Sequence, residues 1–399
     1  MKKIRFNTLF LAGLALLLTG LSSCRGDDDP IRGGQSTVVT PGEEGPVKGF
    51  YLLNEANMGS NKATIDYFDY ETGAYYTNIF PRLNPGVVRE LGDVGNDIQI
   101  YGDKLYAVLN CSHLVEVMNA RTAKHIATID IKNCRYIVFH EGFAYVSSYK
   151  GSVEIDPHAP LGAVVKVDTA TLSVVGSVDV GYQPDEMVIR DGKLYVANSG
   201  GYRVSSYDRT ISVVDLKTFR EIKKIDVAIN LHRMQLDAQG NIYVSSRGDY
   251  KETHSDTYII DRNDKVVKSL NLPVSNMVAH GDSIYVHSVE WNNFTETNSI
   301  TYGIINTRTQ SVVSRRFIQD GTEKYITLPY GIAVNPENGE VFITDAKDYL
   351  SSGTLYCFSP DGRRKWSVFT GDIPARIVFT RHRLETLDEL APASRAVHD

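Results

Sequence analysis

Seven stretches of this chain place residues two by two at the head of an apolar run. They are Asn96 and Asp97, Arg135 and Tyr136, Asp185 and Glu186, His232 and Arg233, Ser275 and Asn276, Tyr330 and Gly331, and Ala375 and Arg376. Gathered in one place, these side chains have a defined chemistry. Arginine grips phosphate or carboxylate through paired N–H donors. Asparagine and tyrosine exchange hydrogen bonds with amides and hydroxyls. Neighbouring acids such as Asp185 and Glu186 suit a calcium ion or internal ion pairs. Polar segments elsewhere add aromatic faces at Tyr149, Tyr202, Tyr250 and Trp291, the residue types that dominate binding when desolvated. The candidate ligand-binding set is therefore Asn96, Asp97, Arg135, Tyr149, Asp185, Glu186, Tyr202, Arg233, Tyr250, Asn276, Trp291, Tyr330 and Arg376. Catalytic patterns are missing from the sequence. It has no G-x-S-x-G elbow and no H-E-x-x-H helix. His113, His232, His254, His280 and His287 do not fall at ligand spacings. No catalytic residue, metal ligand or cofactor is assigned, and a calcium-dependent lactonase is the nearest enzymatic alternative. With two tryptophans in all, and Trp366 in an expected outer strand, quinone docking is disfavoured.

What positions these residues is a repeat. A glycine-containing turn followed by a short β run recurs with its central aromatic at Tyr51, Tyr106, Tyr145, Tyr195, Tyr243, Tyr285 and Phe342, spaced 39 to 57 residues apart. A second apolar strand follows each copy and ends in Asp69, Asn119, Asp168, Asp215, Asp261, Asn306 or Ser359. Side chains of this kind open turns by accepting backbone N–H bonds two residues on, so these acids read as turn formers. The strand that begins with a residue pair precedes each aromatic strand but the first. Its seventh copy, "IPARIVF" at 373–379, has no aromatic strand after it. The two ends thus complete one unit. β-rich units at this period predict an all-β fold, a seven-bladed β-propeller closed by a C-terminal inner strand that pairs with the N-terminal blade segment. With strands lettered A to D from the axis outward, the A–B and C–D turns are short. The B–C loops are long and polar-aromatic, as in "SYKGSVEIDPHAPLG" and "VEWNNFTETNS". Loop length marks the B–C face as the working face, with the A-strand heads around its mouth. Internal salt bridges among those heads are the plainer alternative to a ligand site.

Net charge of −6 over 399 residues gives no electrostatic case for nucleic acid. "MKKIRF" and "NTLFLAGLALLLTG" form the basic and apolar regions of a signal segment, residues 1–23. "LSSC" resembles the bacterial lipobox, which implies cleavage before Cys24 and lipid on that residue. Residues 24–47 read as a flexible tether, 48–381 as the propeller, and 382–399 as a mobile end without repeat. Cys111 ends one B strand and Cys134 starts the next A strand. Their positions allow a disulfide without requiring one.

The repeat resembles the YncE-like seven-bladed propellers over about residues 48–381. "RGDDDP" after Cys24 resembles the acidic export signal of Bacteroides-type surface lipoproteins. Together with "YLLNEANMGSNKATIDYFD", these marks are most similar to the BtuG-type cobalamin-capture lipoproteins. That resemblance implies an outer-membrane, lipid-anchored protein facing the exterior. It would bind cobalamin or another corrinoid and pass it to a TonB-dependent transporter. The competing expectation is a scaffold whose loop face docks another envelope protein or binds glycan.

Overall fold

The computed structural model describes residues 36–38 and 46–390, except 88 and 293–296. The expected signal segment, Cys24 and residues 391–399 lie outside the described residues. Seven antiparallel sheets make up the described chain. In chain order, blades 2 to 7 begin with A strands Gly95–Tyr101, Cys134–His140, Pro184–Arg190, Leu231–Leu236, Asn276–His280 and Pro329–Val334. Blade 1 takes its A strand, Pro374–Thr380, from the other end of the chain. It pairs with B strand Gly49–Asn54, so that Tyr51 faces Val378. Each A strand packs against the next, and the series returns to its start as one ring.

Burial is deepest in the B strands and falls away outward from them. B strand Lys193–Asn198 is buried almost throughout, because blades stack on both of its faces. D strand Val174–Asp179 alternates between exposed and half-buried. The repeated aromatic is a wedge between blades. Tyr51 Oη donates to Ala120 O of the next blade at 3.0 Å, and Tyr195 Oη to Asp264 Oδ1 at 2.8 Å. The turn acids behave as expected: Asp168 Oδ1 accepts from the N–H groups of Ala170 and Thr171, and Asp215 Oδ1 from that of Thr218.

Three expectations need correction, and one open alternative is decided. Within the tether, Ser36–Val38 is a strand, antiparallel to Ala74–Tyr76. The D strand of blade 1 otherwise presents an open edge, which pairs readily with a β-branched segment. The tail is docked as far as residue 390. Arg383 forms a two-armed ion pair with buried Asp69, Leu384 N–H donates to Tyr67 Oη, and Leu384 and Leu390 are buried against Ile79 and Phe80. Burying each leucine stabilises the end by about 1.5–3 kcal/mol. In blade 6 the segment read as a loop is a ladder: Ser283–Asn292 pairs with Thr297–Asn306, and Trp291 faces Asn298. Finally, Cys111 and Cys134 are separate thiols. Cys134 Sγ is turned to the carbonyls of Leu109 and Leu114, 3.4 and 3.3 Å away, within the core of its blade.

Closure rests on one strand, so removing residues 372–399 leaves blade 1 without its inner strand and opens two edges. The truncated protein is expected to aggregate and to lose its cooperative melt. An unchanged monomer peak and melting curve would reject the ring as the source of stability.

Candidate functional site

The A-strand heads carry a repeated irregularity. In blade 3, Arg135 and Tyr136 together oppose Ser147 alone. Asp185 and Glu186 oppose Ala197, His232 and Arg233 oppose Ser245, and Tyr330 and Gly331 oppose Thr344. Blades 1 and 2 shift register at Ala375 and Asn96. Such β-bulges re-aim side chains, so two successive residues can serve the axis instead of one. In blades 3, 5 and 7 the hydroxyl opposite the bulge absorbs its spare N–H. Ser147 Oγ accepts from Tyr136 N and donates to Asp185 O of the next blade. Ser245 accepts from Arg233 N, and Thr344 accepts from Gly331 N and donates to Pro374 O.

Two carboxylates organise the axis. Asp185 of blade 4 accepts from Tyr149 Oη at 2.8 Å and lies 3.0 Å from His232 Nδ1, 3.3 Å from Arg247 Nη1 and 3.4 Å from Arg135 Nε. Arg135 also donates to Asn96 Oδ1 at 2.9 Å. Beside it, Glu186 Oε1 accepts from Arg233 Nη1 at 2.8 Å and from Arg376 Nη2, while Oε2 takes Met234 N–H at 2.8 Å. Arg376 Nε lies 3.4 Å from Asp97 Oδ1, and Asp97 Oδ2 takes Ile137 N–H at 3.1 Å. Arg233 reaches Tyr136 Oη at 3.1 Å. Because Arg376 belongs to blade 1 and Glu186 to blade 4, the network crosses the axis. It is a plug rather than a solvated rim.

Burial and charge set the protonation states. Burial pushes the Asp185 carboxyl up, but His232, Arg135 and Arg247 outweigh it and hold the group well below the carboxylate range. Burial likewise opposes Glu186, yet Arg376 and Arg233 bring it down to about 2. Burial together with Arg247 and Arg233 keeps His232 neutral. Glu55 is different. It accepts a 2.6 Å bond from Tyr330 Oη, and burial raises its carboxyl despite three arginines nearby.

Eight candidate residues meet in this plug: Asn96, Asp97, Arg135, Tyr149, Asp185, Glu186, Arg233 and Arg376. Asn276 and Tyr330 join at its side, where Asn276 Nδ2 donates to Tyr330 O at 2.8 Å. Tyr202 meets the Tyr149 ring edge to face at 6.2 Å. Tyr250 and Trp291 stand apart, exposed on the B–C side, with Trp291 59% accessible. Exposed Met58, Tyr349 and Leu350 share that face, and the Tyr349 ring packs edge-on against Tyr330 at 6.1 Å. Glu55 and Arg247 were absent from the candidate set. Their signal is positional: each stands four residues after the repeated tyrosine, at the place held by Tyr149 in blade 3. The loops are pinned from below by residues that precede A strands in left-handed conformation. Asn230 Nδ2 donates to Gly248 O at 3.0 Å, and Gln183 Oε1 accepts from Tyr202 N at 3.0 Å.

The acids of the plug are occupied by cationic, phenolic and backbone partners. Among the described residues no three His, Cys, Asp or Glu side chains gather as a metal site. Asp185→Ala strands two arginines in a buried place and is expected to cost about 3–5 kcal/mol in urea denaturation. Glu186 stabilises the fold fully above its unfolded value near pH 4.5, and this contribution is lost as pH falls toward 2. Glu186→Gln should therefore flatten the acid side of the stability–pH curve. An unaltered acid limb would show that Glu186 is not held low.

Solved structures with this architecture include a hypothetical selenium-binding protein from Sulfolobus tokodaii, with TM-score 0.60, 11% identity, and coverage of 86% of this chain and 97% of that one. A quinonprotein alcohol dehydrogenase-like protein from Bacteroides thetaiotaomicron gives TM-score 0.55 and 16% identity, covering 84% and 79%. Hydrazine synthase from Kuenenia stuttgartiensis gives 0.53 and 17%, covering 67% and 77%. At such identities the likeness is one of fold. A search of curated proteins finds no match to the sequence. The family profile described as "Domain of unknown function (DUF5074)" matches residues 48–363, most of the propeller, and the chain belongs to that family.

Proposed function

We propose that this propeller is a lipid-anchored surface protein that captures a large ligand on its B–C face, with a corrinoid such as cobalamin as the ligand and a TonB-dependent transporter as the recipient. The observation that carries the binding reading is the composition of that face. A charged plug floors the axis, and above it the loops present Met58, Tyr250, Tyr349 and Leu350 to solvent and the blade 6 ladder presents Trp291. Exposed aromatic groups on pinned loops lose little freedom on binding, and they suit a flat macrocycle. Amide and hydroxyl partners around the plug suit its peripheral amides. The choice of corrinoid, the anchor at Cys24 and the outward orientation rest on the sequence resemblances. The engaged state of Asp97, Asp185 and Glu186 favours binding over catalysis.

Cyanocobalamin should co-elute with the pure protein in gel filtration and quench Trp291 emission, with buried Trp366 as the internal reference. Trp291→Ala should weaken binding about thirtyfold, the factor that ~2 kcal/mol implies, while the melt stays in place. Equal affinities would remove Trp291 from the site. Failure of both proteins to bind would remove the corrinoid.

A further inference from the structure

Charge does not balance equally across the plug. Around Glu186, two arginines (Arg233 and Arg376) meet two carboxylates (Glu186 and Asp97). Around Asp185, two arginines (Arg135 and Arg247) meet one. Glu55 is the further acid in the neighbourhood, but its bond is to Tyr330, and burial favours its neutral form.

Donors are also in excess. Arg247 Nη2 lies 2.8 Å from His232 Nδ1, the same nitrogen that lies 3.0 Å from Asp185 Oδ2. One ring nitrogen cannot accept from Arg247 and donate to Asp185 at once. A bare Nδ1 would turn its lone pair on the ionised carboxylate 3.0 Å away, so the bond donated to Asp185 is favoured. Nδ1 then carries its proton toward Asp185, and Arg247 Nη2 is left short of an acceptor. The Arg247 side chain is 28% exposed, whereas that of Asp185 is fully covered. Arg247 directly follows B strand Ile242–Ser246 at its B–C end, so the accessible part of the guanidinium belongs to the loop face.

We propose that Arg247, with Arg135 beside it, forms an anion seat at the channel mouth that takes a phosphate or carboxylate group of the ligand. This rests on the reading that the loop face binds a ligand, and it specifies what charge the ligand carries. An anion there balances the Asp185 hub and supplies the acceptor that Arg247 Nη2 lacks. Arg135 is held ready, its guanidinium 5.0 Å over the Tyr149 ring. A planar fork reads two oxygens of one group, which an ammonium cannot do.

The test uses calorimetry with the full mature protein and inorganic phosphate as the probe. Wild type should bind one phosphate, and Arg247→Met should lose about tenfold or more in affinity. Arg247→Lys should fall between them, and it carries the test if the Met variant melts early. Arg209→Ala, which removes an exposed arginine paired with Asp226, should bind as wild type does. No phosphate binding, or equal binding by wild type and both Arg247 variants (an adventitious ion only), overturns the seat. A second arm compares cyanocobalamin with dicyanocobinamide, a corrinoid without the phosphate-bearing loop. Arg247→Met should weaken the first and spare the second. Corrinoid binding unaffected by Arg247→Met overturns the seat and leaves the proposed function standing. Phosphate binding that depends on Arg247, with no corrinoid binding, keeps the seat and rejects the corrinoid.

Discussion

A propeller brings seven strand edges to one axis, where no further strand is available to pair with them. Backbone N–H groups at those edges need acceptors. In this protein side chains of one blade supply them to the next: Asp97 to Ile137, Glu186 to Met234, and Gln235 to Ala279. Carboxylates placed so deeply are costly unless paired, and the arginines of blades 1, 3 and 5 pair them. The plug is thus a consequence of closing the ring. Its density of charge meets first the demand for backbone acceptors, then the demand for counter-charge.

The same order explains what was legible in the sequence. Blades could be counted because the wedge tyrosine and the turn acid recur in fixed register, and each does one local job. The A-strand heads were legible as positions for the same reason. Their partners were not. A bulge is one extra residue in a strand, and it changes neither the spacing of motifs nor their polarity. Whether Asp185 faces an opening or four neighbours depends on that residue. Glu55 and Arg247 were hidden differently. They occupy equivalent places in two blades, but the type varies from blade to blade, through Asn110, Tyr149, Ser199, Val289 and Ala346. A search by residue type therefore passes over them. The hairpin around Trp291 looked like a loop because its residues are polar, although pairing across the ladder continues to Asn292.

Scaffold and loops divide the work. Left-handed residues ahead of the A strands, such as Gln183 and Asn230, tie B–C loops of their own blades to the plug. Asp249 and Asp348 then hold Tyr250 and Tyr349 on compact turns by accepting the N–H groups that follow. Aromatic side chains are presented on short, braced stalks, so loop sequence can vary without disturbing the ring.

The strand that completes blade 1 is made long after the strand it pairs with. Gly49–Asn54 emerges early and waits for Pro374–Thr380, its partner from the opposite end. Contacts this distant in sequence are slow to form, and an unpaired strand is exposed to wrong partners meanwhile. Synthesis therefore yields a row of stacked blades that becomes a ring only when Pro374–Thr380 has emerged. The docked segment from Arg383 to Leu390 then works as a latch that commits the closure.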